Sequence, residues 1–235
     1  MWGEADKPLV VVQARTGSRR LPAKVLADLC GRPVLSWLLE RLAASRTTGG
    51  TVVATTTISG DDAIAQLCAA HGVRVVRGHP TDVLARFNEV LDQTGAVAVV
   101  RVSADSPFID AEAVDLVVRD FKRGGAELVQ NHRTPGWPVG TAVEVLTSEC
   151  LRRLDQAASD PRVREHVTLY AYENPDEFRI RHVPAPPALR APQLRLHVDT
   201  VDDLEWVRTI CSAFGPRRDF GLIDIVARFA GAGAA

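Results

Sequence analysis

An alternation narrows the fold of this chain more than any other feature. Up to about residue 122, short apolar, β-branched runs take turns with segments whose apolar residues recur at helical spacing. Leu9 to Gln13 is a continuous apolar run until its last residue and ends in a Gly-containing loop, as a strand buried on both faces does. Pro33 suits the first turn of a helix carrying Val34, Leu35, Leu38, Leu39 and Leu42 on one side. Thr51 to Thr56 predicts a second strand, and Ser59, Gly60 and Asp61 open a helix marked by Ala63, Ile64, Leu67 and Cys68. Val73 to Val76 is a third strand, Val83 to Leu91 a third helix and Ala96 to Val102 a fourth strand. Asp110 reads as the N-cap of a helix running to about Lys122. Such strands, alternating with helices of about 10 to 15 residues, build an α/β fold: a doubly wound, mostly parallel sheet flanked by helices. Its ligands bind at the carboxyl ends of the strands.

After about residue 126 the rhythm changes. Glu127 to Asn131 and Val139 to Leu146 predict strands joined by the loop RTPGWP. A helix from about Arg162 to Glu173, a strand near Phe178 to Val183 and the stiff loop PAPPALRAP follow. Leu194 to Val198 alternates like a strand, and a closing helix begins at Asp202. The expected organisation is one domain over residues 9–230, with 1–8 as an N-terminal extension and 231–235, within AGAGAA, as a flexible tail.

Composition excludes several function classes. With 28 basic against 29 acidic residues the chain has no general attraction for nucleic acid or an anionic membrane. Cys30, Cys68, Cys150 and Cys211 form no C-x-x-C pair, which argues against a zinc site or a disulfide scaffold and for reduced thiols in a cytoplasmic setting. MWGEADKP lacks the basic-then-apolar layout of a signal peptide, and no apolar run reaches membrane-spanning length.

Anion binding must therefore be local, and the loop after the first strand offers it. QARTGSRRLPAK carries Arg15, Arg19, Arg20 and Lys24 with no acidic residue among them. Gly17 lets backbone amides approach a ligand, arginines grip phosphate oxygens bidentately and Lys24 adds a point charge. The loop is neither G-x-x-x-x-G-K-[ST] nor G-x-G-x-x-G, and a solvated basic loop paired with nearby acids would look the same. Asp105 ends the fourth strand and Asp199 follows the run LRLHV. Either could be a plain cap, Asp105 before Pro107 and Asp199 or Thr200 before the helix at 202. Together with the cationic loop they make a coherent metal–triphosphate site, with Mg²⁺ between carboxylates and phosphates.

QARTGSRRLPAKVLADLCGRPVL, together with VVATT, RGHPTDVLARF, RVSADSPFID, VEVLTSECL, REHVTLYAYENP and LRLHVDTVDDLE, resembles in order the CMP-sugar synthetases. These are the KDO and acylneuraminate cytidylyltransferases, and the spore-coat polysaccharide cytidylyltransferase branch is the most similar. The resemblance implies a three-layer α/β/α fold of the nucleotide-diphospho-sugar transferase type. It implies a nucleotide-binding half over residues 9–125 and an acceptor-binding elaboration over 126–200. Arg15, Gly17, Ser18, Arg20 and Lys24 would bind the CTP triphosphate, and Gln13, Ala14, Arg77, Gly78 and Asp82 would surround cytosine and ribose. Asp105 and Asp199 match magnesium-binding aspartates, so Arg15, Lys24, Asp105 and Asp199 would carry the catalysis. Asn131, Glu144, Arg164, Glu165 and His166 would line the acceptor pocket. A homodimer is implied as well.

The branch usually reads P-D-G-L-D-V-E-V where this chain has Pro138 to Val145, so carboxylates are missing at Val139 and Ala142. A 2-keto sugar acid is the acceptor the resemblance implies. A small phosphonate or a sugar or polyol phosphate is the alternative that fewer acids would favour. A nucleotide-sugar-dependent glycosyltransferase would share the architecture, yet the chain has no D-x-D. A non-catalytic CTP-binding protein would show CTP binding without turnover.

Overall fold

A computed structural model describes residues 6–231, so the start of MWGEADKP and residues 232–235 of the expected tail lie outside the described residues. β1 (Leu9–Gln13) leads through a small hairpin, β2 (Asp28–Leu29) and β3 (Arg32–Pro33), to α1 (Val34–Leu42). Then come β4 (Thr51–Thr56), α2 (Asp62–Ala70), β5 (Arg74–Gly78), α3 (Val83–Thr94), β6 (Ala98–Ser103) and α4 (Ala111–Phe121). The rest is β7 (Leu128–Gln130), β8 (Glu144–Thr147), α5 (Ser148–Ala157), α6 (Pro161–Glu165), α7 (Leu169–Glu173), β9 (Ile180–His182), α8 (Val201–Ser212) and α9 (Leu222–Phe229).

Seven strands form one sheet in the order β5-β4-β1-β6-β8-β7-β9. Among the described strands of this sheet only β8 runs against the rest, pairing antiparallel with β6 and β7. The expected mostly parallel, doubly wound sheet is thus present. β1 shows why an unbroken apolar run was needed. Val10 and Val12 pack into the layer of α1, α2 and α4, and Val11 into the layer of α3 and α5. Strand order reverses at β1, which feeds β4 and β5 on one side and neighbours β6 on the other. The carboxyl ends of β1 and β6 therefore open a crevice at the switch point. A further core of Leu29, Trp37, Phe108, Phe220, Leu204, Val207 and Ile225 seats α8 and α9 against the hairpin. Among the described residues no helix is long and apolar enough to cross a membrane.

Three expectations need correction. The strand expected from Val139 to Leu146 begins only at Glu144, and Val139 itself makes a single isolated bridge. The helix foreseen from Arg162 to Glu173 is broken into α6 and α7, with Val167 at φ +51, a region a β-branched residue rarely enters. The break brings the Thr168 hydroxyl to the buried Glu144 carboxylate, donating at 2.9 Å, and a buried charge left without donors costs more than a lost helical turn. Leu194 to Val198 is not a strand. It forms one isolated bridge, Val139 with Arg195, and hands its hydrogen bonds to two different loops. Leu196 N–H donates to the Val139 carbonyl at 2.7 Å and Val198 N–H to the Asp105 carbonyl at 2.8 Å. Gly140, at φ +92, permits the crossing, since a Cβ there would lie 2.6 Å from the His197 nitrogen. The hairpin, α5 and α9 were not foreseen.

Candidate active site

The crevice is a cavity of about 550 Å³. Its walls include Gln13, Ala14, Arg15, Gly17, Ser18, Arg20 and Lys24, joined by Asp105, Glu165, His166 and Asp199. These come from the end of β1, the loop behind it, the end of β6, the α6–α7 break and the turn before α8. Thr16 shapes the loop: its carbonyl accepts from the Ser18 and Ala23 N–H groups, both at 2.8 Å, with Ala23 at φ +55. Its own N–H and hydroxyl donate to Asp61, at 2.7 and 2.6 Å. Burial pushes the Asp61 carboxyl up, but donors from Thr16, Thr56 and Thr55 outweigh it and leave it below the usual carboxylate value. A Cβ at Gly17 would meet no other atom, so that side of the loop stands open.

Two carboxylates converge on one cation at the rim. Lys24 Nζ donates to Asp105 Oδ2 at 2.5 Å and to Asp199 Oδ1 at 2.6 Å. Arg20 reaches the other oxygen of Asp199 at 2.7 Å. Asp199 holds this place because Val198 is tied to Asp105 and Thr200 caps α8 in a capping box with Asp203. Burial raises the Asp199 carboxyl, while Lys24, His197 and Arg20 pull it below its ordinary value. Across the cleft Arg15 pairs with Glu165 at 2.6 Å.

Asp105 and Asp199 aim hard oxygen donors at a common point, which fits a divalent cation such as Mg²⁺. Among the described residues no group of three or more His, Cys, Asp or Glu side chains is placed to hold a metal. A cation there would draw its remaining ligands from phosphate oxygens and water, the habit of Mg²⁺.

Other expected residues lie elsewhere. Arg77 donates to the Thr56 and Ile58 carbonyls at 2.8 and 2.9 Å and pairs with Asp62. Arg77, Gly78 and Arg164 line a second, more open cavity of about 550 Å³. Asp82 caps α3 through the Ala85 N–H and pairs with Arg164 at 2.5 Å. Asn131 is fully buried and bridges its neighbouring loop, donating to Thr141 O and accepting from Val143 N–H. Glu144 is 1% exposed and taken up by Arg101, Thr168 and Tyr172. Arg101 in turn donates to the Gln13 side-chain oxygen at 3.0 Å, and Thr168 N–H donates to the His166 carbonyl at 2.6 Å, so the buried cluster reaches the cleft through Gln13 and His166. Thr81, Val83 and Arg86 also line the cleft. Sequence patterning passed over them because RGHPTDVLARF reads as a strand end and an ordinary amphipathic helix.

Residues 9–212 match the sequence profile of the family described as Cytidylyltransferase. The chain belongs to the cytidylyltransferase family. It is 31% identical to the spore coat polysaccharide biosynthesis protein SpsF of Bacillus subtilis, over 93% of this chain and 92% of that one. It is 30% identical to the 3-deoxy-manno-octulosonate cytidylyltransferase of Brucella ovis, over 89% and 97%. A solved cytidylyltransferase from Leptospira borgpetersenii superposes with a TM-score of 0.90 at 29% identity, over 96% of this chain and 94% of that one. A CMP:2-keto-3-deoxy-manno-octonic acid synthetase solved in complex with CTP superposes at 0.70 over 88% and 99%, at 20% identity, which speaks for the shared fold. The family places the chain among nucleotidyltransferases, and the switch-point cleft is where that fold would hold a nucleotide.

Proposed function

We propose that this cytidylyltransferase moves CMP from CTP to an oxygen of an anionic small molecule, a 2-keto sugar acid, and releases pyrophosphate in a Mg²⁺-dependent in-line displacement. The convergence of Asp105 and Asp199 on Lys24 beside the arginine loop carries the proposal. An acceptor oxygen attacks the α-phosphorus, the bond to the bridging oxygen of pyrophosphate breaks, and the attacking hydroxyl gives up its proton. No covalent enzyme intermediate is required. Lys24, Arg15 and Arg20 would steady the phosphates and the charge that develops on the leaving pyrophosphate. Mg²⁺ held by Asp105 and Asp199 would neutralise phosphate charge. Glu165 and His166, at the α6–α7 break, would face the acceptor.

CTP-dependent pyrophosphate release, screened over keto sugar acids, phosphonates and phosphates, tests this. We expect release with at least one anionic acceptor and a loss of about 10²- to 10³-fold in Asp105→Asn and Lys24→Ala. Wild-type rates in both variants overturn it. A phosphonate or sugar phosphate acceptor is favoured by one observation: Val139, 41% exposed, bridges to Arg195, where the branch would carry a carboxylate. The same screen separates the two acceptors. Light scattering would test the homodimer.

A further inference from the structure

Arg86 stands in the first turn of α3 and is 1% exposed. A buried arginine ordinarily faces a carboxylate, because an unpaired cation in a dry site is costly. Arg86 forms no ion pair with any of the described residues. Its Nη1 donates to the His79 and Pro80 carbonyls at 2.6 and 3.2 Å, and its Nε is buried without a partner. It also sits at the positive end of a helix, where a cation is disfavoured. Its strongest charged neighbour is another cation, Arg15, which spends its own charge on Glu165. Burial first and Arg15 second push Arg86 down to about 10, so it remains charged at neutral pH. Asp61, Asp82 and Glu165 offset part of this from a distance, but none of them bonds the guanidinium, whose Nε stays without an acceptor while the side chain lines the cleft. The missing acceptors fit a ligand.

We infer that Arg86 reads the nucleobase of the nucleotide. Its planar fork would present N–H donors to the adjacent O2 and N3 acceptors of cytosine and oppose uracil, whose N3 bears a hydrogen. The inference rests on the cytidylyltransferase reading of the cleft and names the residue that selects its base. The position favours base over phosphate. Lys24, Arg20, Asp105 and Asp199 gather beside the end of β6, whereas Arg86 stands beyond β1 on the β4–β5 side, with Ala14 and Val83 supplying apolar walls. Arg77, for which the sequence suggested this task, faces the second cavity.

The test is calorimetric binding of CTP, UTP and inorganic triphosphate, each with MgCl₂, to wild type, Arg86→Met and Arg86→Lys, with thermal melts to confirm folding. Wild type should prefer CTP over UTP by about 10- to 100-fold, the discrimination a bidentate base contact gives. Both variants should bring that ratio towards one while triphosphate affinity stays unchanged. The lysine variant keeps the charge without the fork, and it decides the matter if the methionine variant does not fold. A preference retained in Arg86→Lys, a triphosphate affinity falling in step with that for CTP, or a wild type without preference overturns the assignment. A wild type that binds none of the three overturns the cytidylyltransferase reading itself, whereas one that prefers CTP while the variants also do overturns only the role of Arg86.

Discussion

Two carboxylate clusters in this protein differ in what closes them. Asp105 and Asp199 keep side-chain exposures of 20% and 22% and share the Lys24 ammonium. Glu144 has 1%, and every donor it needs comes from the protein: Arg101, Thr168 and Tyr172, with His132 Nε2 at 3.7 Å. Burial alone would raise the Glu144 carboxyl, yet Arg101 foremost, with the Tyr172 hydroxyl, holds it below its ordinary value. Burial, the largest influence on it, keeps the His132 ring biased toward its neutral form. The open cluster can trade its ion pairs for a ligand's phosphates or cation. The sealed one cannot trade without unfolding its surroundings.

The largest expected effect therefore falls on the sealed cluster and on stability. Removing one partner of a buried ion pair strands the other, at a cost of about 3–5 kcal/mol, so Glu144→Ala should lower the unfolding free energy read from denaturant titration by that much. A variant as stable as wild type that loses acceptor affinity would instead place Glu144 in the substrate's pocket and break the comparison. Asp105→Asn should do the opposite: turnover falls by about 10²- to 10³-fold, while the fold is kept, because Lys24 retains Asp199 as its partner.

Sequence and structure agree where one residue type answers to one cause. Continuous apolar runs had to be buried strands, and Asp110 had to cap a helix. Lys24, Asp105 and Asp199 could be named singly, but not their shared contact, because Asp199 is placed by a crossing of loops at Gly140 and Val139 that leaves no periodic trace. Resemblance marks the position of Glu144 and not its burial, which only the packing shows. Arg86 was missed for the converse reason: within VLARF a polar residue in a helix reads as its solvent face, and only packing reveals it as buried.

A middle-sized effect sharpens the contrast through pH. Asp61, 2% exposed, has its folded carboxyl pKa depressed by the Thr16, Thr56 and Thr55 donors despite burial. Its stabilisation is then fully present above the unfolded value of about 4 and is lost as pH falls through the lower folded value. Asp61→Asn should cost about 1–3 kcal/mol at neutral pH and flatten the acid limb of the stability curve. Because Asp61 holds Thr16, weaker CTP binding should accompany it. An unchanged acid limb would remove Asp61 from the support of the loop.

The smallest effect is expected at Arg20, whose side chain is 66% exposed although it bonds Asp199 at 2.7 Å. Exposed pairs contribute about 0–1 kcal/mol, so Arg20→Ala should leave the melting temperature nearly unchanged. The same exposure makes Arg20 free to leave Asp199 for a phosphate, at little internal cost. Triphosphate affinity should thus fall in low salt, and the gap between wild type and variant should narrow as added salt shortens the Debye length from about 30 Å at 0.01 M to about 8 Å at physiological strength. A gap that ignores salt would mean that Arg20 acts by shaping the loop and not by its charge, and the open cluster would lose its outermost member.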